Sequence, residues 1–119
     1  MAMPAGYQVQ LLPAEYAPDC VFGRLTGWLD QHMARFGFFR PYRLDHGGAG
    51  VEPWHLSYAP VAVEATAALT IPVLRAAIAA SAMEGRAAVL ERLPEIYTRF
   101  ILGVDSPCAT GSRGQPALA

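Results

Sequence analysis

Gly50-Val51-Glu52-Pro53-Trp54-His55-Leu56-Ser57-Tyr58 is the run on which the reading of this chain depends. Trp54, Leu56 and Tyr58 alternate with His55 and Ser57. That period of two predicts a strand with three apolar side chains on one face and His55 on the other. Glu52 and His55 are three positions apart, which in an ideal strand reverses the face. Pro53, with glycines at 47, 48 and 50 ahead of it, favours a local bend that brings the two side chains together. A carboxylate beside an imidazole is a proton acceptor beside a potential metal ligand.

Working outward, Arg43 to Gly50 reads as a loop whose glycines allow backbone shapes closed to other residues. Phe38 and Phe39 before it form an extended segment that Pro41 ends. Val21, Phe22, Leu25, Trp28, Leu29, Met33 and Phe36 recur at three and four residues, an amphipathic helix of about four turns. Asp19 is available to cap that helix and Gly37 to end it. Tyr7, Val9 and Leu11 alternate with Gln8 and Gln10, a short strand stopped by Pro13. Downstream, Pro72 opens a helix carrying Val73, Leu74, Ala77 and Ile78. Ser81-Ala82-Met83-Glu84 has the form of a capping box for the next one. Val89, Leu90, Leu93, Ile96, Tyr97, Phe100 and Ile101 keep helical spacing, interrupted at Pro94, which would begin a new turn or kink the helix. The pattern predicts an α+β fold, a small antiparallel sheet with packed helices. The spacing of Trp28, Phe36, Phe38, Phe39, Trp54 and Tyr58 marks them as core.

One domain is all that 119 residues build, and 53% apolar with 16% charged residues is a globular composition. Nine basic residues stand against ten acidic ones, and the arginines are scattered, so nucleic acid is not an expected partner. Arg40 and Arg43 flank Pro41-Tyr42; as a pair they could hold a carboxylate, though solvated arginines are the default reading. Cys20 and Cys108 belong to no Cys-x-x-Cys pair and are expected to be free thiols. The sequence as given carries no secretory signal at its start and no apolar run of membrane-spanning length.

Glu52-Pro-Trp-His55, with Leu-x-Tyr after it and the Trp28-Leu29…Phe36-Gly37-Phe38 helix end and Gly-rich loop before it, resembles the second zinc motif of VanY-type D-alanyl-D-alanine carboxypeptidases. The resemblance implies that Glu52 is the general base acting on a zinc-bound water, His55 a zinc ligand, and Trp54 a support behind the metal site. It also implies the hedgehog/DD-peptidase fold, Zn2+ as cofactor, and a cell-wall-type peptide ending in D-alanine as substrate. A periplasmic or cell-envelope location is the family expectation. The family's first motif, Ser-x-His-x-x-Gly-x-Ala-x-Asp, which carries the other two ligands, has no counterpart in the sequence, so the likeness is to the family's C-terminal half.

The resulting expectation is a partial carboxypeptidase-like domain over residues 1–104, with a motif half at 6–60, helices at 70–102 and a flexible tail at 105–119. Asp45 and His46, in the loop leading to the motif, are the local residues that could substitute as zinc ligands, and His32 is a helix-flank histidine. The alternative to a peptidase is a catalytically inactive remnant, or a half-domain that binds a partner chain. Half a sheet also leaves an unpaired edge through which copies could associate. A further alternative treats the apolar C-terminal helices as an interaction module.

Overall fold

A computed structural model describes residues 5–107 of the chain. Its regular elements are helix α1 (Gly23–His32), strands β1 (Phe38–Phe39) and β2 (Ser57–Tyr58), and helices α2 (Ala59–Ala68), α3 (Ile71–Ala80), α4 (Arg86–Glu91) and α5 (Leu93–Ile96). The last of these runs on into a π-helical turn, Tyr97–Ile101. The architecture is α+β, helices around a two-stranded antiparallel sheet.

The strand expected at Tyr7 to Leu11 does not form. The Glu15 carboxylate captures the backbone N–H groups of Gln10 and Leu12, at 3.2 and 3.0 Å, and the Tyr7 hydroxyl donates to the same group. A side chain that takes up amides locally competes with a ladder for them. Leu11 adopts φ 56° within this wrap, and a 3-10 turn follows at Pro13–Tyr16. The Tyr7 hydrogen bond and then the Leu12 amide hold the Glu15 carboxyl below its ordinary range. The same bond to Glu15 pushes the Tyr7 hydroxyl up to about 12.

The first helix forms as its spacing predicts, though its last turn tightens to 3-10 geometry at Met33–Phe36. Gly37 ends it at φ 81°, a left-handed conformation that side chains with a Cβ resist. The chain then enters β1, where Phe38 lies opposite Tyr58 and Phe39 opposite Ser57. Ala59 N–H donates to the Gly37 carbonyl at 2.8 Å, so this small ladder ties the helix end to the residues just after the motif.

Strand β2 is shorter than alternation predicts, because residues 52–55 close into a turn instead. Helix α2, with Pro60 in its first turn, is not signalled by spacing: its alanines and valines lie all round the axis. The expected capping box at Ser81–Glu84 does not form. Ser81 Oγ donates back to the Ile78 carbonyl at 2.7 Å, and Gly85, at φ 71°, precedes α4. Of the two outcomes expected at Pro94, the structure shows a new turn: Pro94 lies in the first turn of α5, where its missing N–H costs nothing.

Leu93, with 0% of its surface exposed, is the buried core of the described residues. Trp28, Phe36, Phe38 and Tyr58 are exposed, which corrects their expected place in the core; Phe39 and Trp54 are half-buried. Spacing shows which side of an element is apolar, not whether anything covers it. Helices α2, α3 and α4 contain no buried residue. Among the described residues no single helix is long and apolar enough to cross a membrane; α2 and α3 pass that test only as a pair bent by 81°. Cys20 is a free, exposed thiol, and Cys108 with the remainder of the expected tail lies outside the described residues.

Candidate active site

The motif is a turn. His55 N–H donates to the Glu52 carbonyl at 3.2 Å, with Pro53 and Trp54 at its two central positions. Proline suits the first central position because its ring presets the φ such a turn requires. The bend carries the Glu52 and His55 side chains to one side, where an extended strand would separate them. His55 Nδ1 and Glu52 Oε2 meet at 2.5 Å.

This contact sets the chemistry available. With Nδ1–H donated to the carboxylate, the imidazole presents its Nε2 lone pair, the nitrogen that a metal or a proton would take. Glu52 is the more sheltered partner, 28% exposed against 54% for His55, so the imidazole faces solvent and the carboxylate backs it. Glu52 Oε1 is left to accept a further proton.

Three neighbours hold the turn. Glu52 N–H donates to the Tyr42 carbonyl at 2.9 Å, and the Tyr42 ring meets the His55 ring edge-on at 5.5 Å. Arg40 Nε donates to the Pro53 carbonyl at 2.9 Å, and its Nη1 pairs with Asp30 on α1. Trp54 packs against Tyr16 at 5.5 Å, and Tyr16 stacks on Phe22 at 4.8 Å, so the tryptophan pins the back of the turn to the N-terminal wrap.

Arg40 corrects the reading of a solvated arginine. Its side chain is 7% exposed, and two of its three nitrogens are committed to Asp30 and Pro53. Its buried Nη2 has no hydrogen-bond partner among the described residues. Arg43 lies 3.9 Å from Asp105, so the two arginines do not form a common clamp.

Asp45 turns back on its own loop, accepting from Gly47 N–H at 2.7 Å. His46 Nε2 lies 3.3 Å from Asp105 Oδ1, and the His32 ring packs against Trp28 at 4.9 Å. Asp105 also accepts from Leu44 N–H at 2.8 Å, although the sequence assigns it to a loose tail. Partial burial pulls the Asp105 carboxyl up, but the Leu44 amide and His46 outweigh it and leave it below the ordinary range. A hydrolytic zinc site uses three protein ligands. Among the described residues no group of three or more His, Cys, Asp or Glu side chains could hold a metal ion. Glu52 and His55 by themselves therefore do not fit a complete zinc site.

A protein of Haemophilus influenzae, described only as uncharacterized, is 28% identical over 102 residues, which are 84% of this chain and 78% of that protein. No solved structure matches the chain. The family model VanY, D-alanyl-D-alanine carboxypeptidase, matches residues 6–61, the span from the N-terminal wrap to the start of α2 that builds and braces the Glu52–His55 turn. That match, just under half of the chain, supports a partial VanY-type D-alanyl-D-alanine carboxypeptidase domain.

Proposed function

We propose that the chain acts as a peptidase of D-alanyl-D-alanine carboxypeptidase type on cell-wall peptides, with Glu52 as general base and His55 as one zinc ligand. The observation that carries this reading is the 2.5 Å contact between Glu52 Oε2 and His55 Nδ1, inside the segment that matches the family. A ligand histidine commonly donates its second N–H to a carboxylate, which fixes the ring and its tautomer. Glu52 supplies that acceptor in this structure; as general base its carboxylate would turn from Nδ1 to the water, take its proton and hand it on to the leaving amine. Trp54 holds the turn from behind through Tyr16. Zinc, when bound, supplies polarisation of the peptide carbonyl and of water. Among the described residues no three-ligand group assembles to complete its coordination.

The test is release of D-alanine from a synthetic peptide ending in D-alanyl-D-alanine, with zinc supplied in excess. Wild-type chain is expected to release it, and Glu52→Gln to lower the rate by roughly a hundredfold or more, the usual contribution of a general base. No release by the wild type, or equal release by the variant, overturns the reading.

A second reading, an inactive half-domain that binds a partner chain, is favoured by one specific observation. Val61, Val63 and Val73 on α2 and α3 are more than half exposed, on helices with no buried residue. Apolar surface of that kind is ordinarily covered by another chain or element. D-alanine release by the purified chain alone would dismiss this alternative.

A further inference from the structure

Residues 41–48 stand between two anchors. At one end, Tyr42 gives its carbonyl to Glu52 N–H and its ring to His55. At the other, the loop is fastened to the segment just past α5. Asp105 N–H donates to the Pro41 carbonyl at 2.8 Å, and Asp105 Oδ2 accepts from Leu44 N–H at 2.8 Å. These two bonds straddle Tyr42. Oδ1 of the same carboxylate faces His46 Nε2 at 3.3 Å and Arg43 Nη2 at 3.9 Å, and only 10% of the Asp105 side chain is exposed. From α5's continuation, Arg99 Nε donates to the Gly47 carbonyl. Gly48 lies so close to the Arg99 carbonyl that a Cβ there would collide with it.

We infer that Asp105 is a positioning residue for the Glu52–His55 turn, acting through Tyr42; this rests on the reading of that turn as the reacting pair. Tyr42 has no regular element of its own to fix it, since β1 ends at Phe39 and residues 40–56 hold neither helix nor strand. What fixes its carbonyl are Pro41 just before it and Leu44 two residues after it, and both are held by Asp105. The carboxylate is satisfied by an amide and two cationic or proton-sharing neighbours from the loop, so it belongs to the loop's fold and not to solvent. Releasing it frees Tyr42, and with it the acceptor of Glu52 N–H and the ring that flanks His55.

Amide hydrogen exchange in the full chain, read residue by residue by NMR, tests this. In Asp105→Ala, the Glu52 and Leu44 amides are expected to exchange at least about tenfold faster, the effect of losing one charge-assisted hydrogen bond. The ring-current displacement of the His55 ring protons by Tyr42 is expected to shrink in parallel. Asp105→Asn keeps an oxygen for Leu44 and loses the charge opposite Arg43 and His46. It is expected to fall between wild type and Asp105→Ala, and it decides the matter if the alanine variant does not fold. If residue 105 changes protection only at 99–107, leaving the Glu52 amide and the His55 ring signals as in wild type, the inference is overturned. Exchange reads the backbone and not turnover. Graded protection in a chain that releases no D-alanine would therefore sink the proposed function and leave this inference standing.

Discussion

Replacing Arg40 by Met removes the tie between α1 and the turn while keeping most of the buried stem. The lost Nε bond to the Pro53 carbonyl is a hydrogen bond from a charged donor, about 1.5–3 kcal/mol. The ion pair contributes less, because Asp30 is 54% exposed and solvent screens it; about 0.5–1 kcal/mol is appropriate. Against these losses, the variant no longer buries the unpartnered Nη2, which regains roughly 1 kcal/mol. The net expectation is a destabilisation of about 1–3 kcal/mol, measured by urea unfolding monitored through Trp fluorescence. A double-mutant cycle with Asp30→Asn should return a coupling of about 1 kcal/mol or less, so most of the loss survives when Asp30 is already gone. Arg40→Lys keeps a charge beside Asp30 but has no Nε in the required place, and it should lose stability as well. A free-energy change near zero in Arg40→Met, with the His55 ring signals unmoved, would refute the assignment of Arg40 as the brace of the turn.

Leu93→Ala should cost about 2–5 kcal/mol, since the side chain is fully buried, whereas Leu25→Ala, at an exposed position, should change stability by about 0.5 kcal/mol at most; equal effects in urea melts would show that the core lies elsewhere. Tyr7 has its folded-state pKa raised to about 12, so its bond to Glu15 adds stability that is fully present below the ordinary tyrosine value near 10. That contribution is lost as pH rises from about 10 to about 12, and the loss should vanish in Tyr7→Phe; an unchanged alkaline profile in that variant would contradict the bond. Glu15 and Asp105, both held below their ordinary values, run the opposite way: their contributions are present above about pH 4 and fade on acidification. Their joint loss should show as a fall in melting temperature below about pH 4 that is reduced in Asp105→Asn; an equal fall in both proteins would be evidence against it. Zinc added to the isolated chain should be lost on dialysis, because two donor side chains hold the ion poorly, and one zinc retained per chain by metal analysis would show a third ligand in place.

Local punctuation was the most legible part of the sequence. Gly37 ends the first helix, Phe38 and Phe39 enter a strand, and Pro53 bends the motif, because each of these residues limits its own backbone whatever surrounds it. Competition for hydrogen bonds was not legible. Glu15 takes the amides that Gln10 and Leu12 would have given a strand, and Ser81 spends its hydroxyl on α3 where a capping box would have used it on the next helix. Coverage was not legible either, so apolar spacing put Trp28 and Phe36 in a core that α1 does not possess. At the site, the meeting of Glu52 and His55 follows from Pro53 and their three-residue separation. The braces Arg40 and Asp105 do not, because each acts across a separation of 13 residues or more, and no local pattern encodes such a contact.

The Pro53-Trp54 turn sets the Glu52 carboxylate against His55 Nδ1 and leaves Nε2 free to bind. Long-range nitrogen–proton correlation spectra of the neutral imidazole are the decisive measurement. The structure predicts a neutral ring protonated at Nδ1, with that preference lost in Glu52→Ala. A ring protonated at Nε2 in the wild type, unaltered by the substitution, would contradict it.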